Sequence, residues 1–323
     1  MDILRLLSDG QFHSGVQLAE VLGVSRTTIS NRIAQWNTQG VVIDSVTGKG
    51  YRLHSPIQWL NKEQVWSKIS SSVQQHISSF DVLQFVSSTN DVVAKNLAQQ
   101  HQSGIICITE MQGAGRGRRG REWFSPPAGN FYGSVGWIFN DGFSVIEGLS
   151  LAVGVAIIKA MESVGASDLE LKWPNDVLHQ GKKIAGILIE MTGEVGGACQ
   201  VVVGVGVNLQ LPEVIKQQIT QPVTDLYSIC GHAVNRQIIT AEIISEIISL
   251  LSDYGKTGFS KWQNEWLRYD AFKNKQILII GMQAPLHGIA RGVDEHGNLL
   301  LETEGEMMKV YGGEVSLRQA MSN

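Results

Sequence analysis

Cysteine is scarce in this sequence, and the usual zinc-binding patterns are missing. Three cysteines occur in 323 residues, and they form no CxxC pair. A sparse, odd set is typical of reduced thiols in a cytosol and argues against a disulfide framework. The eight histidines are scattered and no HExxH occurs, so we expect neither a structural nor a catalytic zinc site. The cysteines are Cys107, Cys199 and Cys230.

Long apolar runs are missing as well. No stretch reaches the ~18 apolar residues that a membrane-spanning helix needs. The longest candidate, residues 149–158, contains Ser150 and Gly154 and is followed by Lys159. The first five residues resemble neither the basic nor the apolar region of a signal peptide. We therefore expect a cytoplasmic protein without membrane contact.

The composition fits a globular protein of two or three domains. Hydrophobic residues make up 43% of the chain, which supplies a sizeable core, and the net charge is −4. That charge favours neither an acidic tail nor a purely nucleic-acid-binding protein. Residues 1–54 carry a net charge of +1, however, and the rest of the chain carries −5. A basic first segment has the sign expected of a DNA-contacting domain.

The first segment follows the pattern of a winged helix-turn-helix. Ser14 can cap one helix, Gly23 ends it, and Ser25 can cap a second, polar helix. A hairpin pattern at 41–53 predicts the wing. A winged helix used only for protein contact is the alternative interpretation. The small positive charge gives few phosphate contacts, which favours a dimer on a two-fold DNA site. The DNA-binding candidates are Ser25, Arg26, Thr27, Ser30, Asn31, Arg32 and Lys49.

The region after residue 60 predicts an α+β domain. Short hairpin connections, such as the turn at Gln180-Gly181, indicate a mixed and largely antiparallel sheet rather than a doubly wound one. From residue 272 short strand patterns separated by glycine turns predict a small β-barrel. The central strand patterns cover residues 80–86, 104–109, 131–139, 169–173, 183–191 and 200–209, and a long apolar helix is predicted at 147–164.

Residues 110–125, EMQGAGRGRRGREWFS, stand out because arginine alternates with glycine. Glycine lets the backbone approach a ligand closely, and arginine presents a charged fork to carboxylate or phosphate, so the stretch predicts an anion-binding loop. A GxGxxG match at 115–120 is discounted, since two prolines follow where that fingerprint requires a helix. A solvated basic loop and an RG-type nucleic-acid segment are the alternatives. The arginines are Arg116, Arg118, Arg119 and Arg121.

Three further features have both a structural and a binding interpretation. The polar turn at residues 88–90 can cap a helix or hydrogen-bond a ligand. Lys183 begins an otherwise apolar strand, so its ammonium group either reaches the surface or borders a site. Gly204 and Gly206 thin a strand where another group approaches closely.

Taken together, these motifs resemble one family, the biotin protein ligases. Ser88-Thr89-Asn90, GAGRGRRGREWFSP at 113–126, KWPND at 172–176, GKKIAGILIE at 181–190 and GVGVNL at 204–209 occur in the family's order. The amino-terminal winged helix is similar to that of the bifunctional bacterial members. The resemblance covers essentially the whole chain. It implies a winged helix-turn-helix domain over 1–60, a mixed α/β catalytic domain like class II synthetases over 61–270, and an SH3-like β-barrel over 271–323.

The resemblance also implies an activity in two steps. Biotin and ATP, delivered with Mg²⁺, form biotinyl-5′-AMP, and a lysine of the biotin carboxyl carrier protein then receives the biotin. The adenylate would also act as corepressor, favouring a homodimer that binds operator DNA. A ligase without an operator role, a related lipoate-type ligase and a ligand sensor without catalysis are the alternatives. No resident metal site is implied.

The resemblance assigns roles to residues by their match to the family motifs. Lys183 and Arg118 would be catalytic. Residues 210–224 would cover the adenine, but this stretch lacks the tryptophan of the repressor-type members, which puts an aromatic stack in doubt. Biotin would contact Ser88, Thr89, Asn90, Gln112, Gly115, Arg116, Gly117, Arg118, Trp123, Lys183 and Gly186. ATP would contact Arg118, Arg119, Arg121, Asn175, Asp176, Asn208 and Arg318; for Arg318 a surface arginine is the alternative.

Overall fold

The computed structural model describes residues 1–140, 142, 146–193, 197–281, 285–312 and 316–319. The amino-terminal domain is a three-helix unit followed by a two-stranded wing. Ser14 and Gln17 form the reciprocal capping box, and the Ser25 hydroxyl accepts a hydrogen bond from the Thr28 N–H, so both predicted helix starts are confirmed. The elements are α1 Asp2–Leu6, α2 Gly15–Leu22, α3 Arg26–Thr38, β1 Ile43–Val46 and β2 Gly50–Leu53.

Helix α3 separates an apolar face from a polar one. Ile29 and Ile33 are buried in the core of this domain, as their spacing predicts. The polar residues proposed for DNA contact are exposed on the remaining surface of α3 and on the wing. The domain core is completed by residues of the linker, because Ile57 and Trp59 pack against it. Leu60, one residue further on, belongs to the core of the central domain instead.

The central domain is built on a mixed sheet. Among the described residues its seven strands run in the order β3-β4-β5-β9-β8-β7-β6, with β3 and β4 parallel and every other pair antiparallel. The predicted mixed, largely antiparallel sheet is confirmed. The strands are β3 Ser79–Leu83, β4 Ile105–Thr109, β5 Phe131–Phe139, β6 Leu169–Lys172, β7 Asp176–His179, β8 Lys182–Gly193 and β9 Cys199–Val207.

Strand β3 is shorter than the sequence pattern predicts. It ends at Leu83, which pairs with Thr109, the last residue of β4. The chain then diverges because its neighbour turns into the loop after β4. Val86 forms only an isolated bridge with Gln112.

Helices cover the central sheet. The long apolar helix predicted at 147–164 is α7, which is almost entirely buried. A Cβ on Gly154 would lie 2.9 Å from Leu171 Cδ2, so the small residue permits this close packing. The helices are α4 Lys62–Trp66, α5 Ser71–Gln74, α6 Thr89–Gln100, α7 Leu149–Glu162, α8 Glu213–Lys216, α9 Leu226–Cys230, α10 Arg236–Thr257 and α11 Ser260–Tyr269. No helix in the described ranges has the length and hydropathy that a bilayer crossing requires.

The carboxy-terminal region is an antiparallel sheet in the order β13-β12-β11-β10-β14. Its apolar face, including Ile277 and Leu301, joins the main core. The predicted series of short strands is therefore confirmed. The strands are β10 Gln276–Ile280, β11 Leu286–Val293, β12 Leu299–Thr303, β13 Glu306–Val310 and β14 Ser316–Gln319.

Candidate active site

A cavity of about 610 Å³ lies between the central sheet and the arginine-rich loop. It collects side chains from strands β6 to β9, from the start of α6 and from β14. It therefore joins motifs that are far apart in sequence. Of the predicted ligand-binding residues, it is lined by Ser88, Thr89, Asn90, Gln112, Arg116, Gly117, Arg118, Arg119, Arg121, Trp123, Asn175, Asp176, Lys183, Gly186, Asn208 and Arg318.

Gly115 is the one predicted ligand-binding residue outside this lining. It is buried, and a Cβ there would lie 2.5 Å from the Trp123 carbonyl oxygen. The Trp123 N–H donates a hydrogen bond to the Gly115 carbonyl at 2.9 Å. The position of Gly115 thus fixes the path of the loop, because a larger residue would separate its two arms.

One end of the cavity is neutral and rich in hydrogen-bonding groups. The Thr89 N–H donates to Gln112 Oε1 at 2.9 Å, and Gln112 Nε2 donates to the Ser125 hydroxyl at 3.1 Å. The Ser134 hydroxyl donates to Asn90 Oδ1 at 2.6 Å and lies 2.7 Å from the Thr89 hydroxyl. These side chains hold one another in place, so the turn at residues 88–90 does more than begin helix α6. The Ser88 side chain makes no capping hydrogen bond.

In the middle of the cavity, the indole ring of Trp123 packs against glycines of β8 and β9 and forms one wall. A Cβ on Gly206 would lie 2.3 Å from Trp123 Cε2, and one on Gly186 would lie 2.9 Å from Trp123 Cζ3. A Cβ on Gly204 would lie 2.3 Å from Asn90 Oδ1. The predicted close approach of other groups to Gly204 and Gly206 of β9 is confirmed. The indole Nε1–H of Trp123 is buried and finds no hydrogen-bond partner within the described part of the chain.

The other end of the cavity is cationic. Lys183 Nζ lies 2.6 Å from Asp176 Oδ1, and both side chains are only about one-sixth exposed, at 15% and 16%. The ammonium group is also 5.3 Å from the centre of the Trp123 ring. Lys183 therefore borders the site and does not reach the outer surface. Of the two positions that the sequence leaves open for its ammonium group, the outer surface or the border of a cavity, the structure shows the second.

Two more basic side chains are desolvated at this end. Arg118 Nη1 donates to Asn175 Oδ1 at 3.1 Å, and burial lowers the pKa of Arg118 although Asp176 opposes the change. Lys172 lines the same end, where burial likewise lowers the pKa of its ammonium group against the attraction of Asp176. Positive charges held in a half-buried cavity attract anions strongly, because water screens them less. The cationic end is suited to carboxylate and phosphate groups.

The stretch after β9 closes one side of the cavity. The Lys183 N–H donates to the Pro222 carbonyl, and the Thr224 N–H donates to the Lys183 carbonyl, both at 2.9 Å. The Asn208 side chain holds the same segment through the Thr224 carbonyl at 3.0 Å. Residues 218–223 line the cavity, and none of them is aromatic. This segment is tied by its backbone to the strand that carries Lys183.

Comparison with known proteins identifies the family. Residues 82–208 match the Biotin/lipoate A/B protein ligase family, residues 1–52 match an HTH domain, and residues 274–318 match the Biotin protein ligase C terminal domain. The chain is 38% identical to the "Bifunctional ligase/repressor BirA" of Escherichia coli, over 99% of this chain and 97% of that protein. This chain belongs to the bifunctional ligase/repressor family.

Other members and a solved structure agree with this assignment. The Bacillus subtilis bifunctional ligase/repressor is 28% identical over 98% of both chains. The solved structure of the Aquifex aeolicus biotin protein ligase in complex with biotin and ATP is also similar, with 27% identity and a TM-score of 0.64. The match covers 76% of this chain and 100% of that chain. The predicted resemblance to bifunctional biotin protein ligases is confirmed.

Several residues that contact the cavity lining cannot be identified from the motifs alone. Ser125 lies in the loop before β5 and Ser134 lies within β5, and both look like ordinary small residues. Asp91 and Glu190 look like a helix-start acid and a surface acid, but both contact Arg116. Lys172 is the first residue of the KWPND motif, and this position could have identified it as a cavity residue.

The DNA-binding candidates of the ligase/repressor lie apart from the cavity, on α3 and the wing. Lys49 and Arg52 stand over the Phe12 ring at 5.9 and 4.6 Å. Arg52 is also paired with Asp44 at 3.0 Å. Lys49 and the polar candidates of α3 are exposed. Phe12 was not anticipated from the sequence.

Proposed function

We propose that this protein activates biotin with ATP and transfers it to a lysine of the biotin carboxyl carrier protein. The observation that carries the proposal is the two-ended cavity. A neutral end with fixed amide and hydroxyl groups suits the ureido ring of biotin. An indole wall suits its aliphatic tail. A cationic end suits its carboxylate together with the phosphates of ATP.

The residue roles follow from this orientation. Ser88, Thr89, Asn90 and Gln112 bind the ureido ring, and Trp123 with Gly186 encloses the tail. Gly115, Arg116 and Gly117 shape the loop around the bound biotin. Lys183 and Arg118 act at the reacting groups. Phosphates and nucleotide are bound by Arg118, Arg119, Arg121, Asn175, Asp176, Asn208 and Arg318.

In the first step, a biotin carboxylate oxygen attacks the α-phosphorus of ATP, which arrives as its Mg²⁺ complex. A phosphorus–oxygen bond forms, the bond to the bridging oxygen breaks, and pyrophosphate leaves with biotinyl-5′-AMP as the product. Two anions must meet in this step. Lys183 and Arg118 offset their repulsion, since fixed positive groups act strongly where water is excluded.

In the second step, a carrier lysine amine attacks the acyl carbon of the adenylate. An amide bond forms, AMP leaves, and the amine gives up a proton. The mixed anhydride reacts with water as well as with amines. The loop at 110–125 therefore serves as a cover that keeps water out until the carrier arrives.

The amino-terminal domain gives the protein its second role, as a repressor of biotin-synthesis genes with biotinyl-5′-AMP as corepressor. Adenylate binding orders the loops beside the central sheet and favours a homodimer. The dimer presents two α3 helices to a two-fold operator. Both roles belong in the cytoplasm. We further assign the central domain to the class II synthetase-like architecture and the carboxy-terminal domain, over 271–323, to the SH3-like barrels.

The absence of an aromatic residue from 218–223 bears on the affinity for the adenylate. Gln218, Ile219 and Val223 offer the adenine polar and aliphatic contacts in place of a stacked ring. We expect a weaker adenine contact than an aromatic stack provides, and hence a higher biotin concentration for repression. Titration with biotinyl-5′-AMP, comparing Val223→Trp with wild type, tests this.

Incubation with biotin, Mg-ATP and a biotin carrier domain tests the ligase function. The expected result is one biotin on one carrier lysine, detected as a mass increase, together with release of AMP and pyrophosphate. Lipoate in place of biotin is the matched control, because lipoate ligases share the fold. Labelling with lipoate and none with biotin contradicts the proposal.

A further inference from the structure

Arg116 of the arginine-rich loop is held by two carboxylates. Its guanidinium group forms a two-pronged pair with the carboxylate of Asp91, at 2.6 and 3.0 Å. It lies 3.3 Å from Glu190 Oε1 as well. The hydrogen bond to Asp91 raises the pKa of Arg116. The Arg116 fork is thus bound to α6 and β8, two elements outside the loop.

Glu190 connects this arginine to the neutral end of the cavity. The Asn90 amide donates to Glu190 Oε2 at 2.8 Å, while Asn90 Oδ1 accepts from Ser134. Ser134 in turn contacts Thr89, which binds Gln112. The hydrogen-bonded path therefore begins at Gln112, at the first arm of the loop, and returns to the loop at Arg116.

We propose that Asp91 and Glu190 are positioning residues that hold the arginine-rich loop closed over the biotin end of the cavity through the Arg116 fork. The identity of the enclosed ligand, biotin, rests on the proposed ligase function, whereas the contacts of Arg116 with Asp91 and Glu190 do not. Two carboxylates from separate elements fix both the position and the orientation of the guanidinium plane. Arg116 then acts on the reaction through loop closure, and Lys183 and Arg118 act on the reacting groups.

The geometry favours control of ligand retention over control of the chemical step. Asp91 and Glu190 are 52% and 41% exposed, so the pair opens at a modest cost and is weakened by salt. Loop opening exposes the adenylate to water and lets it leave. Asp91→Asn removes the charge and one acceptor oxygen without changing the size of the side chain, and is the cleanest test.

The first experiment is trypsin cleavage of the unliganded protein at the loop arginines. We expect Asp91→Asn to raise the initial cleavage rate at residues 118–121 by about fivefold, the effect of one partly exposed ion pair. Asp91→Glu should restore slow cleavage. The matched control is Asp81→Asn, which breaks an exposed pair with Lys62 at the edge of the same sheet. Cleavage of Asp91→Asn at the wild-type rate contradicts the proposal.

The second experiment measures the adenylate itself. With biotin and Mg-ATP, Asp91→Asn should release and hydrolyse biotinyl-5′-AMP faster than wild type, again by about fivefold. Its single-turnover rate of adenylate formation at saturating biotin should stay within about twofold of wild type. A slower chemical step with unchanged release contradicts a positioning role. Failure of wild type to form adenylate would refute the ligase function, while the trypsin result still decides the role of Asp91.

Discussion

The carboxylate of Glu110 and the guanidinium of Arg236 form an ion pair at 2.8 Å, with side chains only 1% and 5% exposed. Glu110 follows β4 and leads into the arginine-rich loop, and Arg236 begins α10. Both also bind the interdomain linker, since the Leu60 N–H donates to Glu110 Oε1 and Arg236 Nη1 donates to the Gln58 carbonyl. The buried pair thus ties the winged-helix linker to the base of the active-site loop.

Loss of either partner should destabilise the protein severely. Arg236→Met leaves the Glu110 carboxylate buried without its counter-charge, and we expect the free energy of unfolding to fall by about 3–5 kcal/mol. Urea denaturation followed by circular dichroism measures the change. The control is Lys261→Met, which breaks an exposed pair with Asp253 and should cost less than about 1 kcal/mol. Equal effects from both variants would mean that burial of the pair is unimportant.

Removal of the Lys183 ammonium group should slow adenylate formation. The group sits between Asp176 and Trp123 at the cationic end of the cavity, where it can offset the charge of the two reacting anions. We expect Lys183→Ala to lower the rate by about 100-fold or more, as found for loss of one fixed group that stabilises developing charge. Pyrophosphate release from biotin and Mg-ATP is the measurement.

The neighbouring residue supplies the control for this experiment. Lys182 has the same charge and is exposed at the start of β8. Lys182→Ala should therefore leave the rate of pyrophosphate release within about twofold of wild type, as is usual for an exposed substitution. An unchanged rate in Lys183→Ala would remove its assigned role.

Addition of one methyl group to β9 should damage the biotin pocket. The Cβ of Gly206→Ala would lie 2.3 Å from Trp123 Cε2, so the indole ring must move. We expect at least a tenfold loss of biotin affinity, which corresponds to about 1.4 kcal/mol. Isothermal titration calorimetry with biotin measures it.

The control for this variant is a glycine on α10. A Cβ on Gly255 would lie 3.5 Å from Phe139 Cδ1, an ordinary van der Waals contact. Gly255→Ala should leave biotin affinity unchanged and stabilise the helix by about 0.5–1 kcal/mol. Biotin binding to Gly206→Ala with wild-type affinity would show that the indole ring is not a wall of the pocket.

Elements with strong local patterns were predictable from the sequence. The boundaries of β5 match the predicted 131–139 at both ends, and the Ser14 capping box is a local signal. These features depend on residues within one turn or one strand of each other. The end of β3 was predicted three residues too late. The strand ends where its neighbour β4 diverges, and the local sequence of β3 does not show where that happens.

The site was predictable only as a set of motifs. Lys183 taken alone fits a surface lysine, and its place in the cavity depends on the pairing of β8 with β7. Asp91 and Arg116 are 25 residues apart, and Glu110 and Arg236 are 126 apart. Such pairs arise from tertiary packing, so neither residue's local context distinguishes it from a solvated charge. Ring-to-glycine contacts such as Trp123 on Gly206 are partly predictable, since glycines inside a strand indicate a close approach.

DNA binding should depend on the exposed face of α3 and be separable from ligation. Arg32 is exposed on that face, and alanine is a good helix former, so Arg32→Ala should leave the fold intact. We expect weaker binding to the biotin-synthesis promoter of the source organism and a salt slope smaller by about 1 per substituted contact. Fluorescence anisotropy, with biotin and ATP present, measures both.

The control for Arg32 must remove the same charge elsewhere on the domain. Arg5 serves this purpose, because its guanidinium group lies 4.8 Å from the centre of the Trp59 ring. Arg5→Ala should change DNA affinity less than Arg32→Ala, and both variants should biotinylate the carrier at the wild-type rate. Equal losses from the two variants would mean that net charge, and not the α3 surface, governs binding. A loss of ligation in Arg32→Ala would instead mean that the winged helix contributes to the catalytic domain, by way of the linker that Glu110 and Arg236 hold.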